Sequence, residues 1–508
     1  MFVTSFFHPI RLWNERHHEN TLSNAPLQSP LTPLQRHRTH SLPRRLRAQV
    51  APAAAPVVAS KGKVALVALG CPKNTVDAEV FLGDLSQHGY EIVDETAGAD
   101  VIVVNTCAFI EDAQRESVHA ILEVSKAKQS GARALIVTGC LAQRYAGELA
   151  TELPEVDAVV GFESYAQLPQ HIDALLSRPA GAAPSRVQVG EVSVPFRVEY
   201  LRHRLGARHT AYLRVAEGCD HRCTFCAIPR WRGRFRSKPY DQLLWEARYL
   251  VEHTGVRELC LIAEDTNMYG MDWGPQGDPR RLADLLRELD RTLVPFGLRW
   301  IRLLYCYPSY FSDDLIDAIA ECPSVVKYVD MPLQHASDAV LRRMQRPSAA
   351  HHQRILQALR QRIPQVALRS TFICGTPGET AADHRQLVQY MRRERFARAG
   401  FFVYSTEDGT PMADMGARVP RPVQEARRDE LVSLQQRVQE EMARALMYTE
   451  VDVMIDAVED GHCVGRTPWD APEIDGQVHL LQDRFAPGDV IRARVVGVSG
   501  SDLLCNAV

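Results

Sequence analysis

The most informative stretch of the chain is Glu217-Gly218-Cys219-Asp220-His221-Arg222-Cys223-Thr224-Phe225-Cys226. Its cysteines, which we call the loop trio (Cys219, Cys223 and Cys226), are separated by three and then two residues and directly follow the apolar run Ala211 to Val215. This spacing allows one short loop to place three thiolates around a four-iron four-sulfur cluster, and it leaves the fourth iron without a protein ligand. The loop therefore predicts a cluster with one open iron, where a small molecule can bind.

A zinc ion is the main alternative to an iron–sulfur cluster in this loop. Structural zinc sites use four Cys or His ligands at short spacing, and His221 is the only candidate inside the loop for the fourth position. Three unrelated thiols are the second alternative. The spacing favours the iron–sulfur interpretation.

Length and composition indicate an ordinary soluble protein of about three domains. The 508 residues are 45% hydrophobic and 24% charged, with a net charge of −3, so a nucleic-acid contact would need a local basic patch. Twelve cysteines are too sparse for a disulfide scaffold and suit reduced thiols in a cytosol-like compartment. No apolar run is long enough to span a membrane. We therefore expect a cytoplasmic protein.

Residues 1–61 differ from the rest and are predicted to be a disordered extension. Residues 1–60 contain seven arginines and only two acidic residues, and a segment so poor in apolar groups cannot bury enough area to order itself. An Arg-rich, acid-poor composition also fits an organellar transit peptide, which would place the protein in an organelle. An upstream start codon or a dispensable bacterial extension is the alternative that the Pro and His content favours.

The start of the folded chain has three short strands that each end near a cysteine. The pairs are Val64 to Leu69 with Cys71, Val101 to Val104 with Cys107, and Ala134 to Val137 with Cys140. In an open parallel sheet these strand ends lie on one edge, so we predict that this sheet trio (Cys71, Cys107 and Cys140) converges on a second cluster with one open iron. A lone cysteine beside a strand is usually a small core residue; the threefold repetition favours a cluster.

The βα alternation from residue 62 onward predicts two α/β domains. Residues 62–178 are assigned to an open parallel α/β domain, residues 179–208 to a linker, and residues 209–442 to a partial barrel of six βα units with the loop trio at its carboxyl-end mouth. The barrel strands are predicted at Ala211 to Val215, Glu258 to Ala263, Trp300 to Leu304, Val326 to Met331, Leu368 to Cys374 and Ala399 to Tyr404.

Residues 443–508 change to a pattern of short alternating strands. Val451, Val453 and Ile455 alternate with polar residues, and Gly-containing turns separate further strands. This pattern predicts a small antiparallel β-barrel of the OB or TRAM kind. Such barrels commonly bind RNA or protein, and a barrel that only packs on the catalytic domain is the alternative, because a strand pattern carries no ligand information.

Several motifs resemble those of the methylthiotransferase family of radical S-adenosylmethionine (SAM) enzymes, and more narrowly its RimO branch. They are Leu69 to Glu79, Asn105 to Ala113, Thr138 to Tyr145, Ala216 to Cys226, Asp330 to His335 and Ala471 to Gly476. The resemblance covers residues 62–508. The tRNA-modifying MiaB branch tends to have Gln-Met in place of Pro72-Lys73, which favours a protein substrate. The segment Ala227 to Gly233, which carries a Trp and an extra Arg, and Glu264 depart from the family pattern, which bears on substrate fit.

The resemblance implies two four-iron four-sulfur clusters and SAM as cofactors, and no catalytic side chain beyond the cluster ligands. The cluster on the loop trio would bind SAM and, once reduced, split it into methionine and a 5′-deoxyadenosyl radical. The cluster on the sheet trio would hold an exogenous sulfur that a second SAM methylates. The radical would remove hydrogen from the β-carbon of an aspartate of the twelfth small-subunit ribosomal protein, which then receives the methylthio group.

Further site residues and partners also follow from the resemblance. Phe225 belongs to the cysteine signature, and Ile373, Gly375 and Glu379 lie in a segment similar to the family's GxIxGxxE motif that lines SAM; a strand-to-helix turn with a purely backbone role is an equal alternative. An electron donor such as flavodoxin or ferredoxin and a sulfur donor are implied. The ribosomal protein would be modified free or on the ribosome.

The most basic stretch of the folded chain runs from Arg230 to Lys238 and is interleaved with Trp231 and Phe235. It is a candidate for contact with ribosomal RNA phosphates. A solvated charged face is the ordinary alternative.

Two other functions remain open at this point. A tRNA (adenosine) methylthiotransferase of the MiaB type would share every cluster cysteine. A non-catalytic iron–sulfur carrier with an RNA-binding tail would not cleave SAM. The remaining cysteines show no ligand spacing and are predicted to be packing residues; they are Cys260, Cys306, Cys322, Cys374, Cys463 and Cys505.

Overall fold

The computed structural model describes residues 60–178, 186–192, 196, 202–482 and 484–508. The predicted disordered extension, with its possible transit peptide, lies outside the described residues except for its last two positions. Residues 179–185, 193–195 and 197–201 of the predicted linker lie outside them as well.

The first domain is an open parallel sheet covered by helices, as predicted. Its strands are β1 Lys63–Ala68, β2 Glu91–Val93, β3 Val101–Thr106, β4 Ala134–Gly139, β5 Ala158–Val160 and β6 Val187–Gln188. Its helices are α1 Pro72–Gln87, α2 Glu111–Ser125, α3 Cys140–Arg144, α4 Ala146–Glu152 and α5 Leu168–Leu176. The strand order is β2-β1-β3-β4-β5-β6, with every pair parallel. Strands β3 and β4 are buried along their whole length, because helices cover both faces of such a sheet.

The second domain is an open barrel of six parallel strands. They are β7 Thr210–Arg214, β10 Glu258–Ile262, β11 Trp300–Leu303, β12 Val325–Asp330, β13 Ala367–Cys374 and β14 Arg398–Val403, with a short antiparallel pair β8 Ala216–Glu217 and β9 Arg236–Ser237. The order is β14-β13-β12-β11-β10-β7, which leaves β14 and β7 unpaired with each other. Each predicted barrel strand is confirmed to within one residue at either end.

Helices alternate with these strands and cover the outside of the barrel. They are α6 Pro229–Arg232, α7 Tyr240–Thr254, α8 Leu282–Leu293, α9 Asp313–Glu321, α10 Asp338–Arg343, α11 Ala349–Arg362, α12 Ala381–Glu394 and α13 Arg421–Ala445. Helix α8 illustrates why these segments are helical. Its leucines recur at helical spacing and are buried. At its start, Asp284 accepts a hydrogen bond from the backbone N–H of Arg281.

The third domain is a closed five-stranded barrel. Its strands are β15 Glu450–Glu459, β16 His462–Arg466, β17 Val478–Leu480, β18 Val490–Ser499 and β19 Asp502–Ala507, in the order β15-β16-β17-β19-β18. The small β-barrel is confirmed. The β17–β19 pair is parallel, whereas the prediction was fully antiparallel.

The C-terminal barrel packs on the inner face of the open barrel. Met454 and Ala471 share an apolar cluster with Cys260 and Tyr328, which point away from the helices. The Tyr328 hydroxyl donates to Asp475 Oδ2 at 2.7 Å, so the motif Ala471 to Gly476 contributes to this docking. Among the described residues, no helix combines the length and the apolar character that crossing a bilayer requires.

Candidate functional site

The sheet trio lies at the carboxyl edge of the first domain. Cys71 precedes α1 after β1, Cys107 follows β3, and Cys140 begins α3 directly after β4. Because β1, β3 and β4 are neighbours in a parallel sheet, their ends bring the three thiols together. Burial and the thiols Cys140 and Cys71 raise the pKa of Cys107. Burial raises the pKa of Cys140 to about 11, although Arg232 opposes the shift.

Two asparagines tie the three strand-exit loops together. The Asn74 side chain donates to Leu69 O at 3.1 Å and to Thr106 O at 2.9 Å, and its Oδ1 accepts from Cys140 Sγ at 3.5 Å. The Asn105 side chain donates to Asn74 O at 2.8 Å. The sequence argument did not assign these roles; the signal was an asparagine close to a cysteine in two of the three motifs.

Two glycines in these loops permit the close packing. Gly70 has φ +92°, and a Cβ there would lie 2.9 Å from the Cys107 Cβ. Gly139 has φ +93°, and a Cβ there would lie 2.4 Å from Thr106 O. Any larger residue would clash and would be strained in this backbone region, so both positions require glycine.

The loop trio lies in an irregular segment at the carboxyl end of β7. The Cys219 N–H donates to Gly233 O at 3.1 Å, and Met412 N donates to Thr224 O at 2.9 Å. The Thr224 hydroxyl donates to Arg343 O at 2.6 Å. Burial and the Cys223 thiol raise the pKa of Cys226 to about 12. The segment is thus held by backbone contacts to the barrel.

The surroundings of the loop trio bear on the zinc alternative. His221 Nε2 lies 2.6 Å from Asp265 Oδ2, and the His221 ring stacks on Tyr307 with 3.5 Å between centroids. Within the described residues, no group of three or more Cys, His, Asp or Glu side chains is arranged to hold a single metal ion. A cubane spreads its thiolates around four irons rather than one ion. Arg346 Nη1 donates to Cys223 Sγ at 3.7 Å.

The first domain and the open barrel meet between the two trios through Arg232. This residue lies on α6, which follows the loop trio, and its guanidinium is buried. It donates to Asp77 Oδ2 and Asn74 Oδ1, both at 2.8 Å, and to Cys140 Sγ at 3.7 Å. An arginine from the barrel therefore touches a cysteine of the first domain. The role of Arg232 here is electrostatic.

A second contact between the domains joins Lys73 to Tyr305. Lys73 lies in the first turn of α1, and its Nζ is 3.4 Å from the Tyr305 ring centroid. Burial alone would lower the pKa of Lys73, but Tyr305 and Cys71 raise it above its usual value. Burial and Glu217 raise the pKa of Glu264 to about 7, with Lys73 opposing. The sequence argument named Lys73 only as part of the motif that separates the two branches of the family, and it did not single out Tyr305.

The predicted SAM segment divides into two groups. Phe225 and Ile373 pack against one apolar cluster beside the loop trio. Glu379 Oε2 instead accepts the Gly375 N–H at 2.6 Å and the Thr376 N–H at 3.1 Å, and Oε1 accepts from Arg427 at 2.8 Å. The Glu379 side chain is thus occupied in holding its own strand-to-helix turn, as the backbone alternative predicts.

The basic stretch from Arg230 to Lys238 does not form one continuous surface. Arg232, Lys238, Trp231 and Phe235 are buried, and Lys238 pairs with Glu246 at 2.6 Å. Arg234 is exposed but pairs with Asp220 at 2.6 Å. Trp231 and Arg232 are neighbours that are both buried, as are Ser237 and Lys238, and charge content alone does not reveal this. The six other cysteines are all buried, as expected of packing residues.

Three family descriptions match successive parts of the chain. The uncharacterized protein family UPF0004 matches residues 63–161, the radical SAM superfamily matches residues 213–391, and the TRAM domain matches residues 449–508.

Two relatives and one solved structure illustrate the similarity over longer spans. A ribosomal protein uS12 methylthiotransferase RimO from Geobacter sulfurreducens is 44% identical over 88% of this chain and 98% of its own length. One from Lachnoclostridium phytofermentans is 40% identical over 88% of this chain and 100% of its own length. The radical S-adenosylmethionine methyltransferase TsrM from Kitasatospora setae, solved with cobalamin and a [4Fe-4S] cluster, superposes with a TM-score of 0.52 at 16% identity over 70% of this chain and 74% of its own, a likeness of fold.

Proposed function

The chain belongs to the RimO family of methylthiotransferases, in the radical SAM superfamily, and from this premise we propose that it adds a methylthio group to the β-carbon of an aspartate of ribosomal protein uS12. The observation that carries the proposal is the extent of the similarity: 40% and 44% identity across 98% to 100% of two relatives of that name. Neither of these two relatives is named as a tRNA-modifying enzyme or an iron–sulfur carrier.

We propose that each trio holds a four-iron four-sulfur cluster and that SAM binds at the loop trio. The residues present fit these groups: burial and neighbouring thiols raise the pKa of Cys107 and of Cys226, and bound iron cations would reverse that by favouring thiolates. When bound, the clusters and SAM supply the electron, the carbon radical, the sulfur and the methyl group that this reaction needs.

The protein's own residues position and shield these groups. Arg346 and Arg232 each donate to a sulfur of one trio, which would offset negative charge there. Phe225 and Ile373 are the proposed apolar contacts of SAM. Gly375 and Glu379 act through the shape of the turn beside them. Arg232 and its partners Asp77 and Asn74 are buried, and a closed environment of this kind would protect a reactive radical from side reactions.

The partners also remain part of this proposal. An electron donor such as flavodoxin or ferredoxin and a separate sulfur donor would act in a reducing, cytosol-like compartment, and the absence of disulfides among the twelve cysteines supports such a compartment. With the basic stretch mostly buried, the exposed Arg230 and Arg234 are the remaining candidates from it for contact with ribosomal RNA.

Mass spectrometry of a deletion strain tests the substrate. Digested uS12 and digested tRNA are compared between the deletion strain and the strain complemented with this gene. We expect the methylthio mass on uS12 to disappear in the deletion strain and to return on complementation, while tRNA stays unchanged. Loss from tRNA alone would indicate a MiaB-type enzyme.

Anaerobic SAM cleavage tests the chemistry. Reconstituted protein is incubated with SAM and dithionite, and 5′-deoxyadenosine is measured. We expect product from iron-loaded protein; its absence from well-loaded protein would favour the carrier.

A further inference from the structure

We propose that Lys73 binds the carboxylate of the target aspartate and thereby makes the enzyme select aspartate over asparagine. The inference rests on the proposed function, because it takes the reacting group to be an aspartate side chain. It adds a specificity-determining residue to the cluster ligands.

Lys73 is a buried cation that forms no ion pair with a carboxylate among the residues that the structure describes. The residue is only 7% exposed, and its Nζ lies over the Tyr305 ring. Among the described side chains and carbonyl groups, none accepts a hydrogen bond from this ammonium and no carboxylate forms an ion pair with it. Cys71 and, to a lesser extent, Glu264 influence Lys73 electrostatically, although neither forms a hydrogen bond or an ion pair with it among the described contacts.

Other buried cations at this interface are paired. Arg232 pairs with Asp77 at 2.8 Å, and Lys238 pairs with Glu246 at 2.6 Å. Burying a charge without a partner is strongly unfavourable. The cation–π contact with Tyr305 offsets part of that cost, but a ring face supplies no oxygen lone pair. The ammonium therefore keeps donors that a carboxylate, which is an acceptor-only group, can use.

The position of Lys73 suits the reacting carbon. It lies two residues after Cys71 of the sheet trio, and Tyr305 follows β11 at the carboxyl edge of the open barrel. In an aspartate side chain the carboxylate carbon is bonded directly to the β-carbon. If Lys73 holds the carboxylate, the β-carbon, which is one bond from the carboxylate carbon, is also held beside the sheet trio. Such orientation of the reacting atom contributes much of an enzyme's rate enhancement.

The competing explanation is that Lys73 offsets the negative charge of a cluster on the sheet trio. This explanation predicts that the iron content or the potential of the cluster on the sheet trio changes when the charge is removed. Recognition of the substrate predicts a change in the discrimination between two substrates.

The experiment uses reconstituted holoenzyme, uS12, and a uS12 variant with asparagine at the target position. The enzymes are wild type, Lys73→Met, Lys73→Arg and Tyr305→Phe, with Lys126→Met as a surface control because Lys126 is exposed. Binding is measured by fluorescence anisotropy, and kcat and KM are measured separately. Iron content and the midpoint potential of each cluster are recorded for every variant, as is the thermal midpoint of the iron-free protein.

We expect wild type to bind the aspartate form roughly ten- to a hundredfold more tightly than the asparagine form, as a hydrogen bond between charged groups provides. In Lys73→Met the ratio should fall to about one, with KM raised for uS12 and with iron content and potentials unchanged. Lys73→Arg should restore part of the ratio, and Tyr305→Phe and Lys126→Met should keep it. The thermal midpoint of Lys73→Met should not fall, because an unpaired buried charge is removed.

Two results overturn the inference. If Lys73→Met keeps the wild-type ratio of affinities for the aspartate and asparagine forms while it loses iron or shifts the potential of the cluster on the sheet trio, Lys73 acts on that cluster. The proposed function is not affected by this result. If wild type neither binds nor modifies uS12, the proposed function fails and the inference fails with it.

Discussion

The sheet trio and the loop trio reach a similar arrangement of three thiols by opposite routes. The loop trio comes from one segment of eight residues, Cys219 to Cys226, whose covalent spacing already keeps the sulfurs close. The sheet trio comes from three strand ends that Asn74 and Asn105 connect. The difference teaches that the loop trio depends on its local segment, whereas the sheet trio depends on an intact sheet edge.

The arginines near the two trios follow the same division. Arg346, which donates to Cys223, belongs to the open barrel that carries the loop trio. Arg232, which donates to Cys140, crosses from the barrel to the first domain. The sheet trio is therefore tied to the relative placement of two domains.

Single substitutions of one cysteine in either trio should produce the largest effects. The two variants should lose different activities. Cys219→Ala should abolish SAM cleavage. Cys71→Ala should keep SAM cleavage but abolish methylthio transfer, because the loop trio is untouched. Each variant should lose about four of about eight irons per chain. Iron analysis, 5′-deoxyadenosine formation and the mass of uS12 measure these effects.

Cys322→Ala is the matched control for both variants. Cys322 is buried in the core of the open barrel, so its substitution should leave the iron content at the wild-type value. If Cys71→Ala retained all its iron, the sheet trio would not hold a cluster.

Arg232→Met should be the next largest effect, and it should act on the sheet trio alone. Removing one partner of a buried ion pair leaves Asp77 with less compensation and costs about 3–5 kcal/mol in the free energy of unfolding. We expect a lower thermal midpoint and a shifted potential of the cluster on the sheet trio. Arg346→Met, the counterpart at the loop trio, should shift the other potential. Equal shifts of both potentials in either variant would contradict the division between the trios.

Asn74→Ala should have an intermediate effect. Its side chain donates to Leu69 O and Thr106 O, and leaving buried carbonyl groups without a donor costs about 1–3 kcal/mol per group. We expect the variant to lose iron from the cluster on the sheet trio while SAM cleavage persists. Parallel iron and 5′-deoxyadenosine measurements would show this; loss of SAM cleavage at unchanged iron would count against it.

Glu379→Gln should have the smallest effect and sharpens the assignment at the loop trio. The amide oxygen of Gln can still accept the Gly375 and Thr376 N–H groups, but its NH2 group is a donor and would then face the Arg427 guanidinium, so the variant loses both the charge and the hydrogen bond from Arg427. We expect the KM for SAM to change less than about threefold, with a stability loss of about 1.5–3 kcal/mol. A tenfold rise in KM at unchanged stability would instead indicate that Glu379 contacts SAM directly.

The sequence by itself determined the elements and the candidate ligands. The spacing of Cys219, Cys223 and Cys226 needs no tertiary information, because neighbouring positions in a short loop are necessarily close. The barrel strands were placed to within one residue, since buried parallel strands are short apolar runs separated by helical segments. The strand-exit position of the sheet trio followed from the rule that parallel strands end on one edge.

The tertiary structure decided which partners those residues meet. Asp77 and Arg232 are 155 positions apart in the chain, and so no local pattern could pair them. Lys73 over Tyr305 and the burial of Lys238 were equally hidden. The physical reason is that spacing and hydrophobic period report the face of an element, whereas the neighbour of a charged side chain depends on how separate elements pack.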